Sequence, residues 1–172
     1  VQPARTIPVS VVICARNEEE NLLNYLPSVL TQDYPKYEVV VVNDCSEDET
    51  EMILKRLSLE YFGKLRYTTI RKDDKFTHGK KLAMTVGIKA AENECIVFTD
   101  ADCRPVGKDW LQNMVAGFES GKEIVLGYGG FERKPGLLNK WIRFDGMMIA
   151  MQYLTFAMAK IPYMGVGRNL AY

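Results

Sequence analysis

The sequence predicts an α/β domain with a mainly parallel central sheet flanked by helices, and three observations carry that prediction. Runs rich in β-branched residues, such as VSVVICA at Val9 to Ala15 and YEVVVVN at Tyr37 to Asn43, have the nearly continuous apolarity of strands buried on both faces. They alternate with segments of helical period, the order that right-handed strand–helix–strand crossovers produce. Polar and charged residues gather just after the strands, at the edge of such sheets where ligands sit.

Each element has a local cause. After the first strand, Asn17 is available as an N-cap and Glu18, Glu19 and Glu20 complement a helix dipole. A helix is expected from about Glu18 to Thr31, with Leu22, Leu23, Leu26, Val29 and Leu30 at helical spacing and Pro27 as a site of kinking or splitting. The second strand, Tyr37 to Asn43, leads into Asp44. Ser46-Glu47-Asp48-Glu49 has capping-box form and is expected to start a helix reaching about Tyr61. Leu65 to Ile70 is a third strand, Gly79 or Lys80 to Ala91 a third helix, and Cys95 to Thr99 a fourth strand. Beyond Pro105 a helix is expected from about Lys108 to Glu119, a strand from Glu123 to Phe131, and a long apolar helix from about Leu137 to Lys160.

Totals narrow the function. The 172 residues suit one domain with a substantial core. Twenty-two basic residues balance 22 acidic ones, so no overall field favours nucleic acid or an anionic membrane, and any anionic ligand must be held locally. Cys14, Cys45, Cys95 and Cys103 lack C-x-x-C or zinc-ligand spacing, which points to reduced thiols and a cytoplasmic setting. The longest uncharged apolar run, Gly146 to Ala159, falls short of the roughly 18 residues that span a bilayer. The start at Val1 and the stop at Gly165-Val-Gly-Arg-Asn-Leu-Ala-Tyr172 lead us to expect a piece of a longer protein.

The chemistry concentrates at Thr99-Asp100-Ala101-Asp102. Side chains at i and i+2 of an extended backbone project to one side, so Asp100 and Asp102 converge on one ion or ligand. Hard carboxylate oxygens suit Mg²⁺ or Mn²⁺, particularly with phosphate oxygens completing the shell. Ordinary turn chemistry places the same residues after a strand equally well. The parallel sheet should bring Arg16-Asn17-Glu18, Asn43-Asp44 and Arg71-Lys72-Asp73-Asp74 to the same edge. Asp44, after four valines and Asn43, can accept hydrogen bonds from a base N–H or a ribose hydroxyl. His78-Gly79-Lys80-Lys81 opens a helix with backbone N–H groups and cations for phosphate, or else forms a solvated basic turn. His78, the sole histidine, is expected at the surface and is not assigned as a base. Gly127-Tyr-Gly-Gly130 and Gly165-Val-Gly167 do not fit a dinucleotide or P-loop fingerprint, so close backbone approach or bulging is the better account. The Met147, Met148, Met151 and Met158 helix reads as core, with an adaptable acceptor surface or a membrane-facing element as alternatives.

Taken together, the ordered set VSVVICARNEEENL, VVVVNDCSEDET, HGKKLAMTVGIKAA, VFTDADC and GVGRNLAY resembles the inverting glycosyltransferase family 2, with the GT-A fold. The resemblance covers nearly the whole chain, with residues 1–105 matching the nucleotide-binding half and 106–172 the start of the acceptor-binding half. It implies transfer of a sugar from a nucleoside diphosphate donor, UDP- or GDP-linked, to a glycan or lipid acceptor, as in bacterial cell-envelope polysaccharide synthesis. By similarity, Ala15, Arg16, Asn17, Glu18 and Asp44 hold base and ribose, and Lys80 lies near the donor. Asp100 and Ala101 meet the ribose or sugar, and Asp102, with Asp100, binds Mn²⁺ or Mg²⁺ bridging the diphosphate. Gly165, Gly167, Arg168 and Asn169 match the donor- and acceptor-site loop. The family's general base is usually an aspartate downstream of that loop, hence beyond Tyr172, so this chain is expected to bind donor with little transfer. Cys14 stands where a proline is common, and Arg16 where an aromatic is common. The resemblance also implies membrane association through segments outside this chain, at the cytoplasmic face. A catalytically silent nucleotide-sugar-binding scaffold is the non-enzymatic alternative. A sugar nucleotidyltransferase is a third reading, but such enzymes typically carry a glycine-rich loop where Arg16-Asn17-Glu18 stands here.

Overall fold

The computed structural model describes residues 6–72, 79–119 and 121–172. Four parallel strands form the body of the sheet: β1 (Val9–Ala15), β2 (Tyr37–Asp44), β3 (Leu65–Ile70) and β4 (Cys95–Asp100). Two short strands, β5 (Val125–Leu126) and β6 (Leu170–Ala171), extend it in the order β3-β2-β1-β4-β6-β5, with β6 antiparallel to both neighbours. The chain builds outward from β1 to β3, then returns to place β4 on the other side of β1. That reversal opens a crevice at the carboxyl ends of β1 and β4, the position where open α/β sheets bind ligands.

Both faces of the sheet are covered, which explains the continuous apolar runs. Val9, Val11 and Ile13 of β1, with Val39, Val41 and Val97, point into a core closed by α1 (Glu19–Leu30), α2 (Thr50–Glu60) and α4 (Trp110–Glu119). The alternate residues Val12, Val40, Ile96 and Phe98 face α3 (Lys80–Ala90), whose Met84 and Ile88 pack on them. Gly87 makes that contact close: a Cβ there would lie 2.5 Å from the Val12 Cγ1. At the amino ends of the strands the buried Glu38 carboxylate is fully engaged, accepting from Ser10 Oγ and the Glu92 amide at 2.6 Å each and pairing with Arg66 at 3.1 Å.

Several boundaries differ from the sequence expectations. Helix α1 runs unbroken through Pro27, which has no N–H to give to the preceding turn, and beyond it the Thr31 amide bonds the Pro27 carbonyl at 3.1 Å. Neither Asn17 nor Ser46 caps its own helix. The loops after β1 and β2 interlock instead: the Asn17 amide donates to Ser46 Oγ at 2.9 Å, and the Glu47 amide to Asn17 Oδ1 at 2.8 Å. The Glu18 amide donates to Thr50 Oγ1 at 3.0 Å and the Glu19 amide to Asp48 Oδ2 at 3.2 Å, while Glu19 returns a carboxylate oxygen to the Glu49 amide. Helix α2 begins at Thr50, whose amide donates to Asp48 Oδ1 at 3.1 Å. The expected strand from Glu123 to Phe131 pairs only at Val125–Leu126. Helix α4 starts at Trp110, two residues later than expected, and α5 spans Leu137–Met158.

The core expectation for the methionine helix is overturned. On α5 only Ala150 and Tyr153 are buried, while Leu137, Leu138, Trp141, Phe144, Met151 and Met158 are exposed. Its contacts are few: Phe131 lies on Gly146, and Tyr153 donates to the Gly127 carbonyl at 3.0 Å. No helix among the described residues is long and apolar enough to cross a membrane. No disulfide joins the four cysteines among the described residues.

Candidate active site

The switch point gathers most of the predicted residues into one cleft of about 290 Å³, whose walls include Ala15, Arg16 and Glu18 from β1 and its loop, Asp44 from β2, Lys80 from α3, and Asp100, Ala101 and Asp102 from β4 and its turn. Strand register is the cause, since Cys14 pairs with Asp100 and Ala15 with Asn43, putting three strand ends level. Arg71 and Lys72 line a neighbouring hollow of about 340 Å³ that shares Arg16 with the cleft. Asn17 belongs to neither wall: at φ 55° its side chain turns to the Glu47 amide, making it the brace between the two loops. Asp73, Asp74 and His78 lie outside the described residues.

Polar satisfaction separates the two ends of the sheet. At the carboxyl end, Asn43 Oδ1, Asp44 Oδ1 and Thr69 Oγ1 are buried with no hydrogen-bond partner among the described residues. Asp44 is 4% exposed, and its carboxylate meets the Cys45 thiol. Burying an acceptor without a partner costs on the order of 1–3 kcal/mol, so these atoms keep unused hydrogen-bonding capacity at the carboxyl end of the sheet.

Around the carboxylate pair, Lys80 Nζ donates to Asp100 Oδ1 at 2.6 Å, in a partly exposed ion pair. Asp100, Asp102 and Cys103 bring their ligand atoms within 4.8 Å of one another, the one such group among the described residues. Burial, reinforced by the negative charge of Asp102, pushes the Cys103 thiol up to about 11, so it stays protonated and donates to Asp102 Oδ1 at 3.5 Å. Of the three, the two carboxylates have the hard oxygens that suit Mg²⁺ or Mn²⁺. Cys14, on the cleft wall, is likewise pushed up to about 11, by burial first and then by Asp100 and Asp44, against the opposing pull of Lys80. Gly79, from the expected phosphate-binding helix opening, lines the cleft, as do Cys14 and Ala83, which the sequence did not offer as candidates. The alternation that buries Val11 and Ile13 on one face put Cys14 on the other and was the available signal.

Asp102 also belongs to a second cavity of about 550 Å³, walled by Tyr25, Trp110, Tyr128, Phe131, Arg104 and Arg168 among others. Within the Gly165–Asn169 segment, Arg168 and Asn169 reach this cavity, whereas Gly165 packs on Leu126 and Gly167 lies away from it. Asn169 is a strut. Its Oδ1 accepts from Trp110 Nε1 at 3.0 Å, its Nδ2 donates to the Tyr128 carbonyl at 3.2 Å, and its own carbonyl accepts from the Gly127 amide at 2.8 Å. The glycines near β5 make room for these side chains. A Cβ at residue 127 would fall 2.2 Å from Asn169 Nδ2, and one at residue 129 would fall 3.0 Å from the Arg168 stem.

Comparison with known proteins agrees with this arrangement. Residues 10–162 match the family described as glycosyl transferase family 2. Glycosyltransferase AglE of Haloferax volcanii is 34% identical over 126 residues, covering 71% of this chain and 40% of that protein. The solved structure of Staphylococcus aureus TarS residues 1–349 with UDP-GlcNAc has a TM-score of 0.61 at 28% identity, covering 76% of this chain and 37% of that one. A mannosyltransferase from Pyrobaculum calidifontis, solved with GDP-Man and Mn²⁺, shares the fold over 99% of this chain and 48% of its own, with a TM-score of 0.67 at 23% identity. The chain thus spans 40% of AglE and 20% of TarS, less than half of either curated relative. With its GT-A sheet, its strand-end carboxylates and a family match over most of its length, the chain belongs to glycosyltransferase family 2.

Proposed function

We propose that this chain binds a nucleoside diphosphate sugar, with UDP or GDP as the nucleotide, for inverting transfer of a hexosyl or N-acetylhexosaminyl group to a glycan or lipid acceptor. The Asp44 carboxylate carries the reading: it lies on the cleft wall, buried, with one oxygen unpartnered among the described residues. A base N–H or ribose hydroxyl completes its hydrogen bonding. The UDP-GlcNAc complex of the related TarS supports the donor class. Arg16 and Glu18 flank the same cleft, and Lys80 is placed to exchange its bond to Asp100 for phosphate oxygens.

Asp102, with Asp100 beside it, would hold Mn²⁺ or Mg²⁺, and their oxygens fit such an ion. When bound, the ion neutralises charge that builds on the diphosphate as the sugar–phosphate bond breaks. The protein's own share is positional. Asp102 is common to the nucleotide cleft and the aromatic-walled cavity, so a donor anchored at Asp44 and Asp102 presents its sugar to that cavity. The cavity's other carboxylate, Glu132, pairs with Arg104 at 3.0 Å, and the general base, by resemblance to the family, is a residue downstream of the Asn169 segment. Residues 1–172 are accordingly expected to bind donor and turn it over slowly, with membrane association, at the cytoplasmic face, supplied by segments outside them. Calorimetry with UDP, GDP and UMP tests the reading: a diphosphate should bind clearly more tightly than UMP, and absence of any nucleotide binding would favour the silent scaffold.

A further inference from the structure

One cation of the second cavity is in no ion pair among the described residues. Arg104 is paired with Glu132, but Arg168 forms no ion pair among the described residues, and its Nε is buried without a hydrogen-bond partner. Asp145 shares a smaller adjoining cavity with Arg168 and does not pair with it. The side chain is nonetheless held in place. Its guanidinium carbon stacks 4.6 Å above the Phe131 ring, and its stem lies against Gly129, where even a Cβ would come within 3.0 Å. A guanidinium laid on an aromatic face keeps its N–H fork aimed outward, the arrangement that suits bidentate capture of an oxyanion. Leaving such a donor buried and unpaired is unfavourable unless a ligand completes it.

The location says which ligand. Arg168 lines the cavity that contains Asp102 but not the cleft that contains Asp44, Lys80 and Asp100. We propose that Arg168 recognises an oxyanionic group of the acceptor, a phosphate ester or a carboxylate, and so selects for negatively charged acceptors. The proposal rests on the reading of Asp102 as the donor's diphosphate anchor. Tyr25, Trp110 and Tyr128 supply flat apolar walls for the sugar ring or chain that carries the anion. Gly129 and Phe131 are then the supports of a recognition residue, which gives the glycine-rich stretch before α5 a purpose beyond strand ending.

Trp110, in the cavity wall and bonded to Asn169, is a built-in reporter. With the exposed Trp141 replaced, Trp141→Phe, its fluorescence reads the cavity alone. The protein would be titrated with sn-glycerol 3-phosphate, glucuronate and neutral glucose, and separately with UDP by calorimetry. The expected result is binding of one or both anions in preference to glucose, weakened about tenfold or more in Arg168→Gln and less in Arg168→Lys, with UDP affinity unchanged. The two anions distinguish a phosphate ester from a carboxylate. Anions bound no better than glucose, or bound equally by Arg168→Gln, would overturn the proposal. Unchanged UDP affinity in the variant also shows that the fold survives, and failure of UDP to bind the unsubstituted protein would instead bring down the donor reading.

Discussion

Asp44→Asn should move stability and affinity in opposite directions. In the free protein, Asp44 is 4% exposed and carries a carboxylate oxygen with no partner among the described residues. The substitution removes a buried negative charge while keeping the shape of the side chain. Relief of an unsatisfied buried group is worth on the order of 1–3 kcal/mol, so stability should rise by about 1 kcal/mol or more. Binding should suffer. A hydrogen bond from a ligand N–H or hydroxyl to an ionised acceptor contributes about 1.5–3 kcal/mol, and its weakening corresponds to a loss of roughly 10- to 150-fold in nucleotide affinity. Urea unfolding and UDP calorimetry on the same preparations give both quantities. A variant that is less stable and binds UDP as well as the parent would refute the argument, because Asp44 would then be a structural acceptor.

Other perturbations test other parts of the account. Gly127→Ala puts a Cβ 2.2 Å from Asn169 Nδ2, which should displace Asn169 and free the Trp110 indole. The loss should be about 2–4 kcal/mol in thermal unfolding, with a shift in Trp110 emission. Burial would raise the Asp48 carboxyl, but hydrogen bonds from Thr50 and from the Glu19 amide hold it below its usual 3.8. Its folded form is thus the more acidic, so its contribution is present above that pH and lost as pH falls below it. Asp48→Ala should cost about 1 kcal/mol at pH 7 and progressively less under acid, measured by urea unfolding across pH. Cys14 and Cys103 sit near 11, so aromatic disulfide reagents should label them slowly at pH 8 and much faster above pH 10, in stopped-flow absorbance.

How much of this was legible in the sequence depended on distance along the chain. The four parallel strands and their helices were readable because Val9 to Ala15 and Tyr37 to Asn43 carry their burial in their own composition. The site edge was readable for the same reason, since topology alone brings Asp44, Asp100 and Asp102 together. Features set by partners far along the chain were not. Asn17 and Ser46 look like helix caps locally, but each finds its partner in the other's loop, about 30 residues away. The strand expected from Glu123 ends at Leu126 because the following glycines make room for Asn169 and Arg168, more than 35 residues on. β6 has two residues and owes its existence to its neighbours β4 and β5. The apolar helix α5 could not reveal from composition that so little of it would be covered.

The central claim is that the Asp100 and Asp102 carboxylates anchor the donor diphosphate through a divalent cation. UDP calorimetry with and without Mn²⁺, on the parent and on Asp102→Ala, tests it most directly. The account predicts binding that strengthens at least tenfold with Mn²⁺ in the parent and loses that dependence in Asp102→Ala. Equal UDP affinity with and without metal in the parent, or undiminished metal dependence in the variant, would contradict it.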